Sequence, residues 1–167
     1  NQISTNDGII SNGIAEQYGL EYCHAYAPKK LRELIFSKNE EEGNIRYRSD
    51  LENDISTDNY HSPILGWAYD GNPIYGPYAY TDPYDSDSTI KTLDSGYTLS
   101  TSNVVDRPSG FSNGFFVEDY KYDNSGDLDQ YNGRYGKTPD FPNGVYAYFA
   151  TLDSSLDAEF PYFVGDT

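Results

Sequence analysis

This sequence predicts a mainly β domain, sandwich-like in its packing and irregular in its loops, with one or two short helices; an α+β arrangement is the alternative. Three observations carry that expectation. Aromatic residues make up 16% of the chain, with Tyr 18, so rings that bury their bodies and keep a polar tip must build much of the core. Residues 145–150 alternate as Val145-Tyr146-Ala147-Tyr148-Phe149-Ala150, the period-two pattern of a strand. Pro63, Pro73, Pro77 and Pro83 exclude a helix between them, while Gly66, Gly71 and Gly76 permit tight turns and close backbone contacts.

Taken in order, residues 1–22 carry the turn signals Asp7-Gly8 and Asn12-Gly13 around Ile9-Ile10 and Ile14-Ala15, which reads as a small hairpin or a linker arm. One amphipathic helix is predicted over 28–41. Pro28 suits a first helical position, Leu31, Leu34 and Ile35 follow i, i+3, i+4 spacing, and Gly43 is a stop. Glu40, Glu41 and Glu42 oppose the negative end of its dipole and favour fraying there. The segment 1–59 is thus an arm with a helix, 60–80 a first information-dense block, and 81–114 an Asp/Ser/Thr-rich run of surface loops and edge strands. A second dense block spans 115–167, where Asn132-Gly133, Gly136 and Asn143-Gly144 punctuate short strands. No fixed-period repeat appears.

At 167 residues the chain is one domain. Its net charge of −16 and pI near 4.2 set nucleic acid aside, since a phosphate backbone needs a basic stripe and the short cluster Lys29, Lys30 and Arg32 is no such stripe. Apolar runs such as Ile64 to Ala68 are far shorter than the roughly 20 residues of a bilayer span. A mean hydropathy of −0.74 alone suggests disorder, but the aromatic content argues for folding. Cys23 is the lone cysteine, which excludes an internal disulfide and a Cys-rich zinc site. The chain starts at Asn1, has no Met and lacks a secretory pattern, so it reads as part of a longer polypeptide or assembly.

Several side chains invite chemistry. His61 and Asp70 are able to form an acid/base or ligand couple, although a histidine bonded to a turn is the plainer reading. Asp70 before Gly71 suits an Asx turn that accepts backbone N–H groups. Asp123, Asp127, Asp129 and Asn132 place oxygens along one loop as a Ca²⁺ site does, yet Leu128 and Arg134 stand where an EF-hand needs glycine and glutamate. Ca²⁺ is the one cofactor those oxygens suggest; otherwise none is expected. Asp82, Asp85 and Asp87 form a second acidic loop, read as solvated. Arg134 is expected to pair with Asp129 or Asp70 in a bidentate bond. Cys23 and His24 lack an orienting partner and an oxyanion-hole signal.

The run His61-Ser62-Pro63-Ile64-Leu65-Gly66-Trp67-Ala68-Tyr69-Asp70-Gly71-Asn72-Pro73-Ile74-Tyr75-Gly76 resembles the first hallmark of the YHYH domain family. Leu128 to Arg134, Thr138 to Tyr146 and Phe160 to Gly165 resemble its later hallmarks, in the family's order. The resemblance marks His61, Asp70, Tyr75, Asp129, Asn132, Arg134, Tyr146 and Tyr148 as structural hallmark residues. The tetrad that names the family stands here as Tyr146-Ala147-Tyr148-Phe149, with both histidines replaced.

That form of the tetrad, with its neighbouring Asn-Gly-Arg and Thr-Pro-Asp-Phe-Pro-Asn-Gly runs, is similar to the branch found in virion structural proteins of tailed, particularly marine, phages. It implies a non-catalytic structural or adhesion module of a tail, baseplate or fibre, located in the virion. Its partners would be other virion proteins or a host surface glycan. Two alternatives remain open: a carbohydrate-directed hydrolase using two of Asp70, Asp127, Asp129 and Asp140, and a Ca²⁺-stabilised carbohydrate-binding adhesin.

Overall fold

The computed structural model describes residues 8–11, 21–24, 31, 61–100, 108–155 and 157–162. These are mainly β, in short strands joined by irregular turns. The helix expected over 28–41 lies, apart from Leu31, outside the described residues. Strand β1 (Gly8–Ser11) pairs antiparallel with β2 (Glu21–His24), Ile9 opposite Cys23. Both strands fall in the stretch read as a small hairpin or a linker arm, with β2 running two residues past its end at 22.

The central sheet has four strands in the order β3-β4-β10-β9: β3 (Ile64–Trp67), β4 (Pro73–Tyr75), β10 (Val145–Phe149) and β9 (Gly133–Gly136). The Asp70-Gly71 turn folds β3 onto β4 with a register shift between Ile64 and Gly66. An antiparallel ladder joins β9 to β10. The join between these two hairpins is parallel: Tyr148 lies beside Ile74 and Phe149 beside Tyr75. The two dense blocks of the sequence thus meet along one seam. Parallel strands need a long connection, and 76–144 supplies it.

Within that connection, β5 (Tyr78–Tyr80) pairs with β6 (Ile90–Thr92), and β7 (Tyr97–Leu99) with β8 (Tyr120–Tyr122). The 81–89 loop closes through Thr81 N–H to the Thr89 carbonyl, 2.8 Å. A 3₁₀ turn, Val117–Asp119, precedes β8, and the buried Asp119 carboxylate caps this region by accepting the Gly114 and Phe116 amides.

The core is built from Tyr75, Ala79, Leu93, Leu128, Ala147 and Phe149, with Ile64 and Val145 packed against it. Tyr75 and Phe149 stack across the parallel seam with ring centroids 5.8 Å apart. Burying such a ring contributes roughly 1.5–3 kcal/mol, so this pair does much to hold the blocks together. The Tyr75 hydroxyl escapes the apolar core by bonding Thr138 Oγ1 at 2.9 Å and donating to Asp140 Oδ2 at 3.0 Å. Among the described residues no helix is long and apolar enough to cross a membrane.

Candidate functional site

Strand β10 carries the tetrad positions, and its pleat divides them. Successive side chains of a strand point to opposite faces, so Ala147 and Phe149 face one way and Tyr146 and Tyr148 the other. Ala147 (1% exposed) and Phe149 (2%) join the core cluster. The two tyrosines reach out to carboxylates from the two separate blocks.

Tyr148 donates to Asp70 Oδ2 at 2.6 Å. Asp70 is set in place by its own turn: Oδ1 accepts the Asn72 amide and Oδ2 the Asn72 side-chain NH2, each at 2.9 Å. Gly71 takes φ +87°, a conformation in which a side chain would be strained. This is the Asx turn expected from Asp-Gly, with a second use for the acid.

Tyr146 donates to Asp129 Oδ2 at 2.7 Å. The other oxygen of Asp129 accepts the amides of Tyr131 and Gly133 at 2.9 and 3.0 Å, which wraps the chain around the carboxylate before β9 begins. Asn132 occupies φ +60°, which asparagine tolerates better than most residues. A Cβ on Gly133 would collide with the Tyr146 hydroxyl, so glycine is needed for this contact. Burial first, then the Asp129 hydrogen bond and its charge, push the Tyr146 phenol far above its ordinary pKa. It therefore stays a donor at every physiological pH. The two phenol rings meet edge to face with centroids 5.3 Å apart, completing a chain from Asp129 through both tyrosines to Asp70.

On the opposite face His61 is 2% exposed. Its Nδ1 donates to the Ser62 carbonyl at 2.7 Å, which leaves Nε2 as a bare acceptor; that nitrogen is buried and makes no hydrogen bond. Around it stand Tyr75, Tyr80 and Phe149, with ring centroids 4.9, 5.3 and 6.2 Å away. Burial lowers its pKa to about 4, with the Arg134 charge adding to that effect, and the imidazole is neutral near pH 7. The His61–Asp70 couple does not form, because the two residues project to different sides of the sheet.

The expected pairing of Arg134 with Asp129 or Asp70 does not form either. Arg134 stands opposite Ala147 and so projects to the core face, where Nη2 donates to the Tyr80 carbonyl at 2.6 Å and the guanidinium lies 5.5 Å from the Phe149 ring centroid. Both Asp129 and Asp70 are engaged on the other face.

The proposed Ca²⁺ ligands go to separate tasks. Asp123 accepts the Ser125 amide and the Thr98 hydroxyl, and those bonds lower its pKa. Asp127 makes an ion pair with Lys91 at 2.6 Å and accepts the Asp94 amide. Asn132 gives its NH2 to the Phe149 carbonyl and Thr151, while its buried Oδ1 has no hydrogen-bond partner. Among the described residues no group of three or more His, Cys, Asp or Glu side chains is placed to hold a metal ion. In the 81–89 loop, Asp82 and Asp85 accept the amides of Tyr84 and Asp87, two more Asx turns. The Lys91–Asp127 pair and the capping role of Asp119 went unread in the sequence; only the tertiary fold brings those partners together.

A family model described as YHYH protein matches residues 10–160. No curated protein and no solved structure matches the chain.

Proposed function

This chain belongs to the YHYH protein family, and on that premise we propose that it is a non-catalytic structural or adhesion module of a phage virion protein, in the tail, baseplate or fibre. The observation that carries the non-catalytic part is the employment of the hallmark acids. Asp70 and Asp129 each hold a turn through backbone amides and receive a tetrad tyrosine. A carboxylate held in this way is architectural: every proton it would take in general-acid work competes with bonds that close the sheet. Of the other acids a hydrolase would use, Asp140 accepts the Tyr75 hydroxyl and Asp127 pairs with Lys91.

The virion part rests on the resemblance of the tetrad's form, Tyr146-Ala147-Tyr148-Phe149, to the phage branch, and the non-catalytic part gains from its putting core side chains in place of both histidines. Imidazole is the usual borderline metal ligand and proton carrier, so its replacement by Ala and Phe suits packing. Peptide mapping of purified phage particles from the source tests the assignment. Peptides from this domain are expected at a fixed ratio to known tail components; their absence from particles overturns it. Asp70→Asn and Asp129→Asn are expected to lower the melting temperature, as architectural acids require.

A further inference from the structure

Four Asn-Gly pairs occur in the chain, at Asn12, Asn113, Asn132 and Asn143, and the last three lie among the described residues. In sequence they are equivalent. Asn-Gly is the dipeptide most open to spontaneous deamidation, because glycine offers no side chain to hinder attack by its own amide nitrogen on the preceding side chain. The fold treats the three very differently.

Asn132 is 2% exposed, gives its NH2 to the Phe149 carbonyl and Thr151 Oγ1, and the following Gly133 amide is held by the Asp129 carboxylate at 3.0 Å. Asn113 donates to the Ser100 carbonyl at 2.8 Å, and the Gly114 amide is bound by the Asp119 carboxylate at 2.9 Å. In both, the nucleophilic nitrogen is tied to a charged acceptor and the side chain to a carbonyl. Asn143 is exposed, and its side-chain amide makes no hydrogen bond to any described residue. The Gly144 amide is restrained only by one turn bond, 3.0 Å to the Phe141 carbonyl. Such a neutral bond contributes about 0.5–1.5 kcal/mol net, and breaking it in a solvent-facing turn exposes nothing that must stay dry.

We propose that Asn143 is a site of spontaneous covalent modification in the folded protein. The Gly144 nitrogen, giving its proton to solvent, attacks Asn143 Cγ. A new N–C bond forms, the bond to the side-chain nitrogen breaks, and ammonia leaves with the proton it takes up. Water then opens the cyclic imide at either carbonyl, leaving aspartate or isoaspartate; no oxidant or reductant takes part. The isoaspartate product inserts a methylene into the main chain of the turn that launches β10, beside a Gly144 already packed closely on the Tyr135 ring.

Incubating the full chain at 37 °C in mildly alkaline buffer, then mapping peptides by mass spectrometry and labelling with protein isoaspartyl methyltransferase, tests this. In the folded protein Asn143 is expected to convert at least about tenfold faster than Asn113 or Asn132, a ratio equivalent to about 1.4 kcal/mol of extra protection at those two sites. In urea the three rates are expected to converge, and Asn143→Gln removes the label from that peptide. An intact Asn143 in folded protein, or Asn113 or Asn132 converting as fast as Asn143 there, overturns the proposal.

Discussion

The two faces of β10 spend neighbouring residues on opposite tasks. Ala147 and Phe149 look into a dry cluster where stability comes from area and fit, and where a polar atom such as His61 Nε2 has no hydrogen-bond partner. Tyr146 and Tyr148 look toward two carboxylates, and there directed hydrogen bonds are added to ring burial, which for Tyr148 is complete. The difference teaches that this strand is a joint. One face fills space across the seam to β4, while the other ties the turn before β4 and the turn before β9 to the same strand.

The core face should therefore be the more costly to damage. Phe149→Ala leaves a ring-sized void against Tyr75 and His61 and is expected to destabilise by about 3–5 kcal/mol in urea unfolding. Tyr148→Phe, which removes one hydroxyl and returns Asp70 to water, is expected to cost only about 1 kcal/mol. If the tyrosine substitution proves the larger, the division of labour is inverted.

Acid should strike the same face. His61 has a pKa of about 4 in the fold against 6.5 when unfolded, so between those values the unfolded chain binds a proton that the folded one refuses. Stability is then fully present above pH 6.5 and falls as the pH drops to 4, by about 3 kcal/mol over the whole window. Below that, this residue takes no further toll. Chemical denaturation of wild type and His61→Leu across the window separates this from carboxylate titration: the variant's profile should be flatter, and parallel profiles would disprove the burial argument.

On the tyrosine face Gly133→Ala drives a methyl into the Tyr146 hydroxyl and is expected to cost about 1–3 kcal/mol. Part of that loss should vanish in a Tyr146→Phe background, a coupling that a double-mutant cycle reads directly. The smallest effect is expected from EDTA. With the loop acids engaged by amides, Lys91 and hydroxyls, the melting temperature should not move, whereas a fall would return Ca²⁺ to the 123–132 loop.

Much of this was legible in one dimension. The β character followed from alternation and from proline placement, and the turn at Asp70-Gly71 from its residue types, because those signals act over two to four residues. Asp129 and Tyr146 were recognisable as part of a hallmark, but the bond between them was not, since nothing local links positions 17 apart. Arg134 shows the limit most plainly. Its charge pointed to an acid, yet strand pairing opposite Ala147 turned it to the face where the Tyr80 carbonyl and an aromatic ring were waiting.

What the sequence alone determined, then, was the inventory: strands, turns, an acidic surface and a tyrosine-rich core. Only the tertiary structure decided which tyrosine meets which acid and which asparagine is followed by a glycine amide that no carboxylate holds. The reason is that a strand's pleat assigns faces by parity, while the parallel seam between β4 and β10 joins residues separated by the whole connection, and no short-range preference encodes that register.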